Sequence, residues 1–302
     1  MNAIEIKNLT KNFKEKQALA GLDMTVPTGS IYGFIGENGS GKSTTEKIIC
    51  GLMNPTTGMV KIYGEDYTNA DVRASIGVLI EAPGCYPNCS VWNNLMLQAA
   101  NLNIANPQEE VRRVLKLVRM EGAASNKFKN CSLGMKQRID IAMALMGKPK
   151  LLVLDEPING LDADGMRIMR EILTDIVKDH ECTVLVSSHI LGELEKIATH
   201  YGIIRGGKMI VEMTAEELEN SCPTFVALQT KVMEEAIEVL KKKYSRVETD
   251  EEKNFVRVYE AKNPEEVVTY LYKNKIVVNE IKTDKIGLEE YYINLMNKKE
   301  GR

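Results

Sequence analysis

The run Gly36-Glu-Asn-Gly-Ser-Gly-Lys42-Ser43 constrains this chain more than any other stretch. It fits GxxxxGK[ST] and stands between an apolar strand and a helix start. Its glycines let the backbone curl until successive N–H groups face phosphate oxygens. Lys42 brings positive charge toward the β- and γ-phosphates, and Ser43 offers a hydroxyl to Mg2+. A glycine-rich turn before a helix is the plain structural alternative, but such a turn needs neither the lysine nor the serine. The pattern points to a nucleoside triphosphate, with Gly36, Asn38, Gly39, Ser40, Gly41, Lys42, Ser43 and Thr44 as candidate contacts. It also points to an α/β fold in which this loop joins a buried strand to a helix.

Composition limits what surrounds that loop. The chain has 302 residues, of which 44% are hydrophobic and 27% charged, enough for one large or two ordinary globular domains. A net charge of -3 gives no electrostatic reason to expect nucleic acid as a partner. The opening MNAIEIKNLT lacks the features of a secretory signal, so a cytoplasmic location is expected. Cys50, Cys85, Cys89, Cys131, Cys182 and Cys222 are scattered and read as thiols. Cys85 and Cys89 form a CxxxC pair with no second Cys/His pair at ligand spacing. Ala82 to Gln108 carries no charge, yet asparagines and prolines interrupt it, so it does not read as a membrane span. Any work on a membrane then requires a separate partner.

Strands are expected at Ala3–Ile6, Leu22–Val26, Ile31–Ile35 and Met59–Tyr63, with a helix from Lys42 to Cys50 stopped by Gly51. A helical insertion follows, about residues 82–147. In it Asn106-Pro-Gln-Glu109 reads as a cap, a first-turn proline and a capping glutamate, and a helix runs from Met135 to Met146. Apolar runs Leu151–Leu154 and Thr183–Val186 read as buried parallel strands around a helix Asp164–Lys178. Gly206-Gly207 suits a hairpin turn. We expect the first domain to span 1–215, followed by polar Thr214–Ser221 and a small α+β accessory domain at 222–302. The order in that tail is strand Phe225–Thr230, helix Val232–Tyr244, strands Arg246–Thr249 and Phe255–Glu260, helix Pro264–Asn274 and strand Ile276–Lys282. This order matches a split βαβ, ferredoxin-like unit, with a last helix over Gly287–Asn297.

Leu151-Leu-Val-Leu154 leads straight into Asp155-Glu156, at the strand end where α/β sheets bind ligands. Asp155 can hold the Mg2+ shell, and Glu156 can orient or deprotonate the water attacking the γ-phosphate. Between the two motifs lies Ser132-Leu-Gly134-Met-Lys-Gln-Arg138. With this order of motifs, residues 3 to 215 resemble the ATP-binding subunit of ABC transporters, Ser132 to Arg138 standing in the place of the family's LSGGQ signature. Cys131, Leu133 and Met135 depart from that pattern, while Ser132 and Gly134 keep it.

The resemblance implies a P-loop ABC-type ATPase with Mg2+ as cofactor, its helical subdomain carrying the signature. It implies that Ser132 and Gly134 of one subunit contact ATP held by a second, in a homodimer or heterodimer. Asn159-Gly-Leu-Asp162 resembles the D-loop, His189 the H-loop histidine that senses the γ-phosphate, and Phe13 the aromatic that stacks on adenine. Phe13 could equally be a core aromatic. Glu81 stands where the Q-loop has glutamine. A carboxylate there can reach Mg2+ or its water, or serve the transporter contact instead. Glu81, together with GMKQR, resembles bacterial ATPases that export bacitracin-like or lantibiotic peptides for self-protection. By that resemblance Pro83–Leu97, with the lone Trp92, faces a separate multispanning permease, although its uncharged and aromatic residues equally suit internal packing, and the chain sits at the inner face of the cell membrane. The competing readings are a soluble ABC protein acting on ribosomes or chromosomes and a non-hydrolysing regulator. A single cassette with a short stretch between Lys42 and Asp155 disfavours the first, and the intact Asp155, Glu156 and His189 disfavour the second.

Overall fold

Alternating apolar and polar residues build two long antiparallel strands, β1 (Asn2–Phe13) and β2 (Lys16–Pro27), which bury Ile4, Ile6, Leu9, Leu22, Met24 and Val26 on one side. Both run well beyond the apolar cores expected from the sequence, because pairing carries Thr10–Phe13 and Lys16–Ala20 into the ladder, with Leu19 buried among them. The computed structural model describes residues 1–14, 16–81, 84–180, 182–250 and 254–297. Within it the chain divides into two compact units, Met1–Ala215 and Glu216–Arg302.

In the first unit the fully buried β3 (Ile31–Ile35) leads through the phosphate loop into α1 (Lys42–Ile49). Strands β4 (Thr57–Ile62) and β5 (Glu65–Asp66) complete an antiparallel sheet in the order β2-β1-β4-β5. After the short α2 (Ala70–Ala74) and β6 (Ile76–Leu79) comes the helical segment: α3 (Val91–Asn101), α4 (Pro107–Leu117) and α5 (Leu133–Ala144). Then follow β7 (Leu151–Asp155), α6 (Ala163–His180), β8 (Thr183–Ser187), α7 (Leu191–Leu194), β9 (His200–Arg205) and β10 (Lys208–Thr214). The second sheet has the order β10-β9-β3-β8-β7-β6, parallel except for the β9–β10 hairpin at Gly206-Gly207. One core of apolar residues from both sheets and α1 fixes the strand ends around the phosphate loop.

Two local expectations in this unit need correction. Asn106 precedes α4 but its side chain makes no capping bond, since the turn holds it at φ −117, ψ 71. Proline at the first helical position fixes the entry instead. Helix α5 begins at Leu133 rather than Met135, because Ser132 is its N-cap and accepts from Met135 N at 3.3 Å.

In the polar stretch 214–221, Thr214 ends β10 and the remainder forms α8 (Ala215–Ser221). The second unit continues with β11 (Thr224–Gln229), α9 (Met233–Lys241), β12 (Val247–Asp250), β13 (Phe255–Tyr259), α10 (Pro264–Lys273), β14 (Glu280–Lys285) and α11 (Leu288–Asn297). Its antiparallel sheet runs β12-β13-β11-β14, with Val226, Leu228, Val256 and Val258 packed against Ala236 and Leu240 of α9 and Val267 and Leu271 of α10. The last strand starts four residues later than expected. Ile276 is buried in the core ahead of it, and pairing with β11 begins only at Glu280 opposite Gln229.

Candidate nucleotide site

The phosphate loop is shaped by two glycines. Gly41, at φ 116, caps α1 in a region closed to other residues, and a Cβ on Gly36 would lie 2.5 Å from the Ile204 carbonyl and 2.6 Å from Ser40 Oγ. Lys42 is buried and folds over the loop, donating to the carbonyls of Gly36 at 2.5 Å and Glu37 at 3.3 Å. The loop lines a cavity of about 300 Å³ with Phe13, Lys16, Ala18, Glu37, Asn38, Gly39, Gly41, Lys42, Ser43 and Thr44. Phe13, 43% exposed at the end of β1, is therefore a wall of this cavity and not a core aromatic. Ser40 sits beneath the loop, buried, its carbonyl accepting from Gly207 N.

Strands β7 and β8 bring the acidic pair to the same place. Ser43 Oγ faces Asp155 Oδ2 at 3.5 Å, and Ser187 at the end of β8 donates to Asp155 Oδ1 at 2.7 Å. Glu156 stands at φ 52, a left-handed backbone that a non-glycine residue adopts only under local constraint. Its N–H is held by the Ser187 carbonyl and hydroxyl, and its Oε2 lies 2.7 Å from His189 Nδ1. Sequence distance hid how closely Glu156 and His189 meet.

The signature residues lie elsewhere. Ser132 and Gly134 open α5 and are absent from the lining of the phosphate-loop cavity. The start of α5 packs against residues 159–162 instead: Gln137 Nε2 donates to Asn159 O at 2.7 Å, and Leu161 lies against Gly134. Asp162 Oδ1 accepts from Gly165 N at 2.9 Å and so caps α6. Glu81 pairs with Lys47 at 2.7 Å, not with Ser43 or Asp155, and that lysine holds its carboxyl below the usual range. Trp92 is half-buried under Arg112 on the helical segment. Pro83, the first residue expected at a permease contact, lies outside the described residues.

Two participants escaped sequence reasoning. Ser187 links Asp155 to Glu156. Glu46, one turn beyond Ser43 on α1, is fully buried, and its carboxyl is pushed up to about 8, first by burial and then by Asp155. The position of Glu46 three residues after Ser43 was the available signal, but a charged residue in a helix reads by default as exposed.

These donors suit the groups the motifs imply. A curled backbone, a lysine and a helix N-terminus suit a triphosphate. The all-oxygen set of Ser43 and Asp155, with the unpartnered carboxylate oxygens of Glu46 close by, suits a hard divalent cation.

Comparison with known proteins identifies the family and the fold. The family model described as ABC transporter matches residues 19–159. The chain is 32% identical over 297 residues to the bacitracin transport ATP-binding protein BcrA of Bacillus licheniformis, covering 97% of each. It is 38% identical over 217 residues to the lantibiotic transport ATP-binding protein SrtF of Streptococcus pyogenes, covering 72% of this chain and 93% of that one. The structure of cbiO1 from Clostridium perfringens, part of the ABC transporter complex cbiONQ, superposes with a TM-score of 0.67 at 25% identity, over 73% of this chain and 91% of that one. By its fold and by these likenesses, the chain belongs to the ATP-binding proteins of ABC transporters and is an ATPase of that family.

Proposed function

We propose that this chain is the ATP-hydrolysing subunit of an exporter for a peptide antibiotic of the bacitracin or lantibiotic kind, or a related amphipathic compound, driving a separate membrane permease. Coverage carries this reading. The likeness to the bacitracin transport protein runs over 97% of both chains, so it takes in the C-terminal unit as well as the ATP-binding unit. Among the described residues no helix is long and apolar enough to cross a membrane, in keeping with a subunit docked at the cytoplasmic face of its permease.

In this reading the adenine stacks on Phe13 and the phosphates lie in the loop from Gly36 to Thr44, with Lys42 leaving its carbonyls to meet them. Ser43 and Asp155 would hold Mg2+, which when bound would supply charge neutralisation on the phosphates. Ser187 keeps Asp155 turned toward Ser43. Glu156 accepts the proton of the attacking water, and His189 holds that carboxylate in place and contacts the γ-phosphate. Ser132 and Gly134, outside the cavity of their own copy, close on the nucleotide of a second copy, with Asp162 at the same face. Glu81 and the segment that follows it transmit the state of the site to the permease. The net charge of -3 supplies no general attraction to a nucleic-acid backbone, which supports a partner set of protein and permease.

The test is deletion of the gene in its own host, with restoration by wild type or by Glu156→Gln, and measurement of bacitracin and lantibiotic susceptibility. We expect deletion to sensitise the cells, wild type to restore resistance and Glu156→Gln to fail. Unchanged susceptibility on deletion overturns the substrate. Mild detergent extraction should recover a multispanning permease with the chain.

A further inference from the structure

The reaction leaves a buried carboxylate beside Asp155 without a task. Glu46 is 0% exposed, and neither carboxylate oxygen has a hydrogen-bond partner. Ser187, beside it, spends its proton on Asp155. The comparably buried glutamates of the same unit are each paired with an arginine: Glu110 with Arg113 and Glu193 with Arg170. Around Glu46 the acting charges are Asp155, Glu156, Lys42 and Lys47; Lys47 is already committed to Glu81, so three carboxylates in all share one buried cation. Packing alone gives no reason for an acid here. Beyond Lys42 of the phosphate loop, the other buried residues of α1 are Thr45, Ile48 and Ile49, and an aliphatic side chain in place of Glu46 would fill the same space without stranding two acceptors.

We propose that Glu46 is a positioning residue for the divalent cation of the nucleotide site, its two carboxylate oxygens accepting hydrogen bonds from the water shell of a cation held by Ser43 and Asp155. The proposal rests on the reading of Ser43 and Asp155 as the residues that hold that cation. Glu46 sits one helical turn from Ser43 and is coupled to Asp155, the two sides from which such a cation would be gripped. A divalent ion offsets the crowding of like charges, and its water supplies the donors that protein groups do not. Glu46 thereby sets how firmly, and in which orientation, metal and nucleotide are held together.

The experiment is a Mn2+ titration by electron paramagnetic resonance on the full chain saturated with the non-hydrolysable analogue AMP-PNP. Wild type, Glu46→Gln, Glu46→Leu and Asp155→Asn are compared, with thermal unfolding followed in EDTA. Losing an outer contact of this kind weakens metal binding roughly tenfold. Glu46→Leu should show that loss and Glu46→Gln a smaller one, while affinity for AMP-PNP in EDTA and the unfolding midpoint in EDTA are not reduced. Mn2+ affinity equal to wild type in both variants overturns the proposal. So does a loss confined to Glu46→Leu and matched by a lower midpoint, which assigns it to packing. A wild type that binds no Mn2+, or binds it equally well with Asp155→Asn, overturns the metal reading itself.

Discussion

Lys42 is the residue on which binding turns. Its ammonium already lies across the loop on two backbone carbonyls, so exchange of those contacts for phosphate oxygens costs little rearrangement. Lys42→Ala should abolish measurable ATP binding, checked by equilibrium binding of a fluorescent ATP analogue. Glu156→Gln should keep that binding and lose turnover by at least about a hundredfold, because an amide cannot take the water's proton. Phosphate release at saturating ATP checks it. Asp140 allows a prediction in pH. It is buried on α5 with Oδ1 unpartnered, and burial pushes its carboxyl from the ordinary 3.8 to about 7. The folded chain therefore keeps a proton that the unfolded chain releases, so Asp140's contribution is fully present below about pH 3.8 and is lost as pH rises toward 7. Urea unfolding across that window should show a flatter decline for Asp140→Ala than for wild type. Asp155 and Glu156 were legible as a strand end followed by two acids. Glu46 and Asp140 were not, since burial of an isolated acid depends on which face a tertiary contact covers, and their helices carry no repeat that marks it.

At the scale of elements, hydrogen-bonding side chains at helix starts decide where reading from sequence succeeds. Asn263 accepts from Glu266 N at 2.9 Å, as the Asn-Pro-Glu-Glu run implies, whereas the similar run at Asn106 makes no such bond. The letters are nearly the same; the turn before each helix differs, and that turn is set by what the preceding segment packs on. Strand edges fail for a related reason. The outer halves of β1 and β2 carry little hydrophobic signature, Leu19 being their one buried apolar side chain, and exist because each pairs with the other. Helix α4 is tied to the end of α5 by Arg113, which grips both oxygens of Glu110 and donates to Leu145 O, while Glu110 also accepts from Gly147 N. Arg113→Ala strands that carboxylate and should cost about 2 kcal/mol, toward the lower side for a buried pair because the arginine is partly exposed. Chemical denaturation monitored at Trp92, on the neighbouring α3, reads the effect where it is expected.

For the whole molecule, the placement of the signature residues away from the chain's own phosphate loop is what motivates the proposed pairing with a second ATP-binding subunit. Ser132 serves its own chain as the N-cap of α5, and it lines no part of its own phosphate-loop cavity. Those two roles make separable predictions. In the Glu156→Gln background, where hydrolysis is blocked, ATP should drive the chain into a dimer resolved by size-exclusion chromatography. Adding Ser132→Arg should leave one nucleotide bound per monomer but remove the dimer peak, since a bulky cation at the start of α5 obstructs a facing copy and not its own loop. Loss of the cap alone costs about 1 kcal/mol. Ser132→Thr preserves both hydroxyl and cap, so it should retain the dimer. A dimer that persists with Ser132→Arg would remove the signature from the contact between copies and return Ser132 to a purely local role, and nucleotide binding lost together with the dimer would mean that Ser132 supports its own copy's site.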